Sequence, residues 1–241
     1  MIKTHGLVIR SMKYGETSLI VDIFTKDLGL RSYIVNGIRK SSSKKSAAIL
    51  QVTNFLEIIA YDNKDADKLN RLKEFKLYKY HDGIITHPMK SMISQFMIEV
   101  LRKCVKDYNE NVELYEFIED WFSHLNQSKD SLRNCLLLYL VELAGLMGIG
   151  FMDKDLGTEE YFDLQEGAFT LNLPEHKHYL SGSQCTYLKL IIKASKTDMH
   201  EFNIQTSIRS QLLNELILFF RYHIDSFGEL KTLSILRSIM A

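Results

Sequence analysis

The chain has 241 residues, and its 30 Lys+Arg balance 30 Asp+Glu to a formal net charge of zero. Its 46% apolar and 25% charged residues suit a soluble globular protein and exclude wholesale disorder, while 2 prolines and 12 glycines exclude collagen-like and Pro/Gly-rich chains. The length allows one large domain or two modest ones, and the zero sum argues against a nucleic-acid partner only if the charge is evenly spread.

The first eighty residues read as strands in chain order. Leu7-Val8-Ile9 leads to a turn at Tyr14-Gly15-Glu16, and Ser18 to Thr25 is rich in β-branched and aromatic residues. A second turn, Asp27-Leu28-Gly29, precedes Arg31-Ser32-Tyr33-Ile34-Val35, which ends at Asn36-Gly37. Val52 to Tyr61 is a fourth β-rich run. Leu69 to Tyr80 is a fifth, interleaved with Arg71, Lys73, Lys76 and Lys79, and its period fits strand or helix. Five short strands without crossover helices suit a small antiparallel barrel, either the Greek-key oligonucleotide-binding type or an SH3-like one.

After His87-Pro88 the period becomes helical. Met92 to Cys104, about Val112 to Leu125, and about Ser131 to Met147 are expected helices, the third nearly all apolar and therefore central. Phe162-Asp163-Leu164 and Ala168 to Leu171 flank Gln165-Glu166-Gly167 as a small hairpin. Helices resume at about Ser183 to Ala194, Ile204 to Phe227 and Leu230 to Met240. The change of period divides the chain into a barrel domain, 1–80, and a helical domain, 81–241.

Charge follows the same division. Residues 1–80 hold 15 Lys+Arg against 8 Asp+Glu, and residues 81–241 hold 15 against 22. The densest basic run is Arg39-Lys40-Ser41-Ser42-Ser43-Lys44-Lys45, read as a flexible loop.

Little points to catalysis. The phosphate-cradling G-x-x-x-x-G-K-[ST] and G-x-G-x-x-G, the nucleophile elbow G-x-S-x-G and the zinc motif H-E-x-x-H are all missing from the sequence. His176 and His178 lack a third ligand nearby, and the isolated Cys104, Cys135 and Cys185 fit free thiols. No enzyme activity, cofactor or metal is expected. A basic barrel bearing aromatics does suit single-stranded nucleic acid, which needs cations for phosphates and ring faces for bases. Arg10, Lys13, Arg31, Arg39, Lys40, Lys44 and Lys45 are the candidate cations, and Tyr14 and Tyr33 the candidate rings. The rival reading is a non-catalytic protein-interaction scaffold whose barrel binds no DNA. Met1-Ile2-Lys3-Thr4-His5-Gly6 does not resemble a signal peptide, and the longest apolar runs fall short of a membrane span, so a cytoplasmic protein without membrane contact is expected.

Several segments resemble the RecO family of bacterial DNA repair proteins. They are Gly6-Leu7-Val8-Ile9-Arg10, Tyr14-Gly15-Glu16-Thr17-Ser18, Phe24 through Arg31, and Gly37-Ile38-Arg39-Lys40. The Ser/Lys-rich stretch Ser41 to Ser46, Leu50 through Phe55-Leu56-Glu57, Phe220 to Ile224 and Leu230 to Leu233 continue the likeness. The resemblance implies an α+β, multi-domain chain with an N-terminal five-stranded OB-fold barrel and a helical domain. It implies a nucleoid-associated recombination mediator of the RecF pathway that binds single- and double-stranded DNA and anneals complementary strands. Implied partners are RecR and the acidic, hydrophobic C-terminal tail of single-strand binding protein, with which it helps load RecA. A tail of that chemistry wants an apolar groove beside cations, for which Lys189, Lys193, Arg209 and Arg221 are the candidates.

One departure stands out. Many family members carry a four-cysteine zinc module where this chain has Gly148 to Leu173, a stretch without cysteine or histidine. Residues 148–175 are therefore expected to form a hairpin lacking zinc ligands, held by Phe162, Phe169 and Leu171.

Overall fold

The computed structural model describes residues 1–39, 44–61, 69–105, 109–151 and 156–240. They form two compact units. One comprises Met1–Gln127 with Thr232–Ile239, and Ser128–Lys231 makes up the bulk of the other.

The first unit is built on a closed barrel of β1 (Ile2–Tyr14), β2 (Ser18–Thr25), β3 (Gly29–Val35), β4 (Phe55–Ala60) and β5 (Asn70–Lys79), in the order β1-β2-β3-β5-β4. A short helix, α1 (Lys44–Ile49), lies between β3 and β4. This is the OB-fold arrangement. Alternation along the strands sends Val8, Val21, Ile23, Tyr33, Leu56 and Ile58 into one core. β1 is much longer than its apolar centre. Its first half pairs with β4 and its second with β2, with a register shift between Val8 and Arg10. Gly15 and Gly29 take positive φ at the two tight turns, where a side chain would be strained. Ala47 and Ile49 of α1 pack on the core, and the helix already includes Lys44 and Lys45, the end of the stretch expected as a flexible loop.

Three helices complete this unit's chain up to residue 127: α2 (Asp82–Thr86), α3 (Pro88–Cys104) and α4 (Val112–Gln127). Pro88 opens α3, a position where its missing N–H costs nothing. α4 buries Leu114, Tyr115, Ile118, Trp121, Phe122 and Leu125. Phe55 of β4 meets Tyr115 and Phe122 edge-on, with ring centroids 6.3 and 5.2 Å apart. Burial of that pair pushes the Tyr115 hydroxyl well above the usual phenol range. Lys26–Glu116 at 2.7 Å and Lys79–Glu119 at 3.3 Å tie the same helix to the barrel rim.

The second unit contains α5 (Cys135–Leu146), β6 (Tyr161–Asp163), β7 (Ala168–Thr170), β8 (Tyr179–Ser181), α6 (Gly182–Lys193) and α7 (Thr206–His223). α8 (Lys231–Met240) follows, and Thr232 at its start donates from its main-chain N and its Oγ1 to Glu99 Oε2 of α3, at 2.8 and 2.6 Å. α5 is buried nearly all round, as its apolar run requires. The expected hairpin is present as β6–β7, and β8 adds a third strand to it. Phe162 packs on Phe151, Phe169 and Phe219, with centroids 4.8–5.8 Å apart. Leu171, assigned to this cluster from sequence, is 63% exposed and does not hold the hairpin. Asp163 does more. Its Oδ1 accepts the Gln165 and Glu166 N–H groups at 2.8 and 3.1 Å, and its Oδ2 lies 3.1 Å from His176 Nε2. Gly167 closes the turn at φ +71, where an added Cβ would stand 3.2 Å from Ile149 O.

Residues 148–173 offer neither thiolate nor imidazole, so the donors do not suit zinc. Among the described residues no group of three or more His, Cys, Asp or Glu is placed to hold a metal ion, and no helix is long and apolar enough to cross a membrane. Cys104, Cys135 and Cys185 are all buried.

Two outcomes follow from this packing. Asp163→Ala should speed amide exchange at Gln165 and Glu166 by roughly three- to tenfold, the equivalent of about 0.5–1.5 kcal/mol for losing the hydrogen bonds that hold the turn. Unchanged exchange would mean that the phenylalanine cluster sustains the turn by itself. Burial pushes the Cys135 thiol up to about 12, so the native chain should leave it unmodified by a thiol reagent at about pH 8, with modification only on unfolding. Rapid labelling of Cys135 in the native chain would contradict its burial.

Candidate nucleic-acid interface

The sequence-derived cations do not form one uniform face. Arg10 follows the β1 register shift and stands beside Asp22 of β2, its Nη1 3.2 Å from Asp22 Oδ2. Asp22 also accepts from Ser32 Oγ at 2.7 Å. Arg10, Met12 and Tyr14 share one side of β1, whereas Lys13 pairs in register with Leu19 on the other, at the barrel rim.

Arg39 is fastened to the β1–β2 turn. Its main-chain N donates to Thr17 O at 2.9 Å, and its guanidinium donates to Gly15 O at 3.1 Å. Lys13, Tyr14 and Arg39 therefore converge on this one turn, and Tyr14 is 51% exposed there. The chain continues through Lys40, which lies outside the described residues, into Lys44 and Lys45, which are described as backbone in the first turn of α1.

Two assignments need correction. Tyr33 pairs with Val21 and lies in the barrel core at 1% exposure, so no base can stack on it in the folded barrel. Arg31 pairs with Ile23 near the β2–β3 turn, is half-buried, and donates to Leu30 O at 2.9 Å. It sits at the opposite end of β3 from Arg39 and does not join the β1–β2 tip.

A second basic patch was not assigned from sequence. On the outer side of β1, β4 and β5, the Glu57 carboxylate takes Lys3 Nζ at 3.2 Å and Lys76 Nζ at 2.9 Å, with His5 Nε2 at 3.9 Å. Hydrogen bonds from Lys76 and Lys3 hold the Glu57 carboxyl below the usual range. The His5 ring stacks on Tyr78, with centroids 3.7 Å apart and planes 14° from parallel. Arg71 and Lys73 are exposed further along β5. The cations at Leu69–Tyr80 were visible in the sequence, but an ambiguous period gave no face to put them on.

In the second unit, a cavity of about 590 Å³ is lined by Tyr161, Leu173, Tyr179 and Leu190, with the cations Lys189 and Lys193 and the carboxylates Glu159 and Glu160. Lys189 is engaged. Its Nζ donates to Gly157 O, Glu159 O and Glu159 Oε2 at 2.8–3.1 Å, and it stands 5.3 Å from the Phe169 ring centre. Lys193 lies one helical turn on and is exposed. Arg209 and Arg221 do not line this cavity. Arg209 donates to Ile204 O and Thr206 Oγ1, and Arg221 donates to Gly228 O. Twelve residues of α7 separate them, about 18 Å along a helix, too far apart to act as a single clamp.

Similarity to known proteins agrees with this architecture. Residues 1–81 match the family model "Recombination protein O N terminal", and residues 87–233 match "Recombination protein O C terminal". The chain is 29% identical to DNA repair protein RecO of Christiangramia forsetii, covering 99% of each chain. It is 33% identical to the protein of the same name from Flavobacterium johnsoniae, covering 100% of this chain and 99% of that one, and 27% identical to that of Bacteroides fragilis, covering 98% of each. A closed OB-fold barrel, a helical region with a small sheet, and two family models that between them span nearly the whole sequence place this chain in the recombination protein O family.

Proposed function

We propose that the chain is a non-catalytic, cytoplasmic mediator of DNA repair and recombination that binds single- and double-stranded DNA and promotes annealing of complementary strands. The observation that carries this reading is the convergence of Lys13, Tyr14 and Arg39 on the β1–β2 turn of an OB-fold barrel, next in the chain to Lys40, Lys44 and Lys45. Cations there neutralise phosphates and release counterions, and the exposed Tyr14 ring offers a base a stacking surface. Annealing requires no covalent step, only that the repulsion between two backbones be screened while bases find their partners. Family membership supports cooperation with RecR and single-strand binding protein in loading RecA.

The cavity beside α6 is the site we assign to the C-terminal tail of single-strand binding protein. Tyr161, Leu173, Tyr179 and Leu190 provide apolar walls for a terminal phenylalanine, and Lys193 provides a cation for the neighbouring acids. Lys189 acts as a positioning residue that holds the 157–160 segment through Glu159.

Each assignment has its own outcome. Replacing Arg39, Lys40, Lys44 and Lys45 with alanine should weaken oligonucleotide binding and lower the slope of log affinity against log salt by about 0.7 per lost single-strand phosphate contact. An unchanged slope removes the tip from the site, and a wild-type chain with no salt-sensitive binding leaves the barrel as a protein-interaction module. Calorimetry with the isolated tail peptide should show Lys193→Ala and Leu190→Asp losing affinity about tenfold or more, while Arg221→Ala binds as wild type. Equal binding by all three variants would place the tail elsewhere.

A further inference from the structure

We propose that the outer face of β1, β4 and β5, centred on Lys3, Lys76 and the His5–Tyr78 stack, is a second single-strand nucleic-acid site. This rests on reading the β1–β2 tip as the first site. Four observations support it.

Two well-exposed lysines share one carboxylate, Glu57, so the cluster carries surplus positive charge even in the free protein. Glu57 stands where a phosphate would accept the same hydrogen bonds, and the two lysines that it holds are 62% and 69% exposed, so a phosphate can reach both from solvent. Beside these cations lies an aromatic stack in which Tyr78 remains 40% exposed, which is the second requirement for holding a single strand.

The fourth observation is separation. Both patches are carried by β1, but Gly6 through Ile9 between them are buried, so no strand can follow β1 continuously from one patch to the other. Lys3 and Lys13 are about 33 Å apart along an extended strand. The barrel therefore presents two distinct sites. A protein holding one strand at each converts the meeting of two complements into an encounter at high effective concentration. The second site thus supplies what a single DNA-binding tip lacks, a place for the incoming strand.

The test uses the full chain and a mixed-sequence oligonucleotide too short to span both patches, titrated at low salt, alongside annealing of two labelled complements. The wild-type chain should bind two oligonucleotides. Lys3→Ala/Lys76→Ala/Tyr78→Ala should bind one and anneal about tenfold more slowly, while Lys13→Ala/Arg39→Ala should also keep one, at the face. Glu57→Gln, which frees both lysines without removing a cation, should tighten the weaker of the two binding events. A triple variant that binds and anneals as wild type overturns the proposal and leaves the tip reading intact, and so does a Glu57→Gln chain with unaltered binding. A wild-type chain that binds no oligonucleotide overturns both.

Discussion

The first unit depends on a very short contact: the parallel pairing of Tyr33 with Asn70 and Ile34 with Arg71, which joins β3 to β5 and closes the barrel. Without it, β3 and β5 would be the unprotected edges of an open five-stranded sheet, with unpaired N–H and C=O groups along each. Closure also fixes the phase of every strand. Once Tyr33 lies opposite Val21 it must point inward, and Ser32 and Asp22 must point outward to meet Arg10. The two basic patches are consequences of that phase, because closure decides which members of each alternating run reach solvent.

Much of this was legible in the sequence, and the parts that were not have identifiable causes. β2 was read with its true limits because its inward residues, Leu19, Val21 and Ile23, alternate with less buried ones and turns bound both ends. β1 extends beyond the apolar Leu7-Val8-Ile9 because its ends carry Lys3, His5, Arg10 and Lys13, exposed or half-buried residues that leave no apolar signal. β5 was ambiguous because register shifts in its pairing with β4 change the phase of alternation along the run. β8 is three residues long, below the length at which a period exists. Tyr33 illustrates the limit for site residues. In Arg31-Ser32-Tyr33-Ile34-Val35 both parities contain an apolar residue, so the sequence alone could not say which side faced the core, and the pairing with β2 decides it. The sequence groups Arg209 and Arg221 with Lys189 and Lys193 as cations on the later helices, but about three helical turns separate the two arginines and each is tied to its own loop.

Charge distribution also proved finer than a division between basic barrel and acidic helices. Acidic residues of α4 sit on the barrel unit itself, where Glu116 and Glu119 take Lys26 and Lys79. Those lysines are spent on fastening a helix, which leaves the surplus at the β1–β2 turn and on the β1–β4–β5 face. A net excess over residues 1–80 does not say which cations are already engaged within the protein; among the described residues, the pairs with Glu116 and Glu119 do.

Other pairs on the barrel, Arg10–Asp22, Lys73–Glu74 and the Glu57 cluster among them, look at first like a disadvantage for the proposed DNA binding, since each cation has a carboxylate beside it. The Lys and Arg side chains of these pairs remain 43–69% exposed, and a nucleic-acid strand brings a line of phosphates and releases its condensed counterions on binding. A carboxylate held among lysines keeps them oriented and limits their self-repulsion. It also limits how tightly any strand can be held. In the annealing role proposed for this chain, weak and reversible neutralisation at two sites would serve better than strong neutralisation at one, because release of the duplex must not become slower than the pairing that forms it.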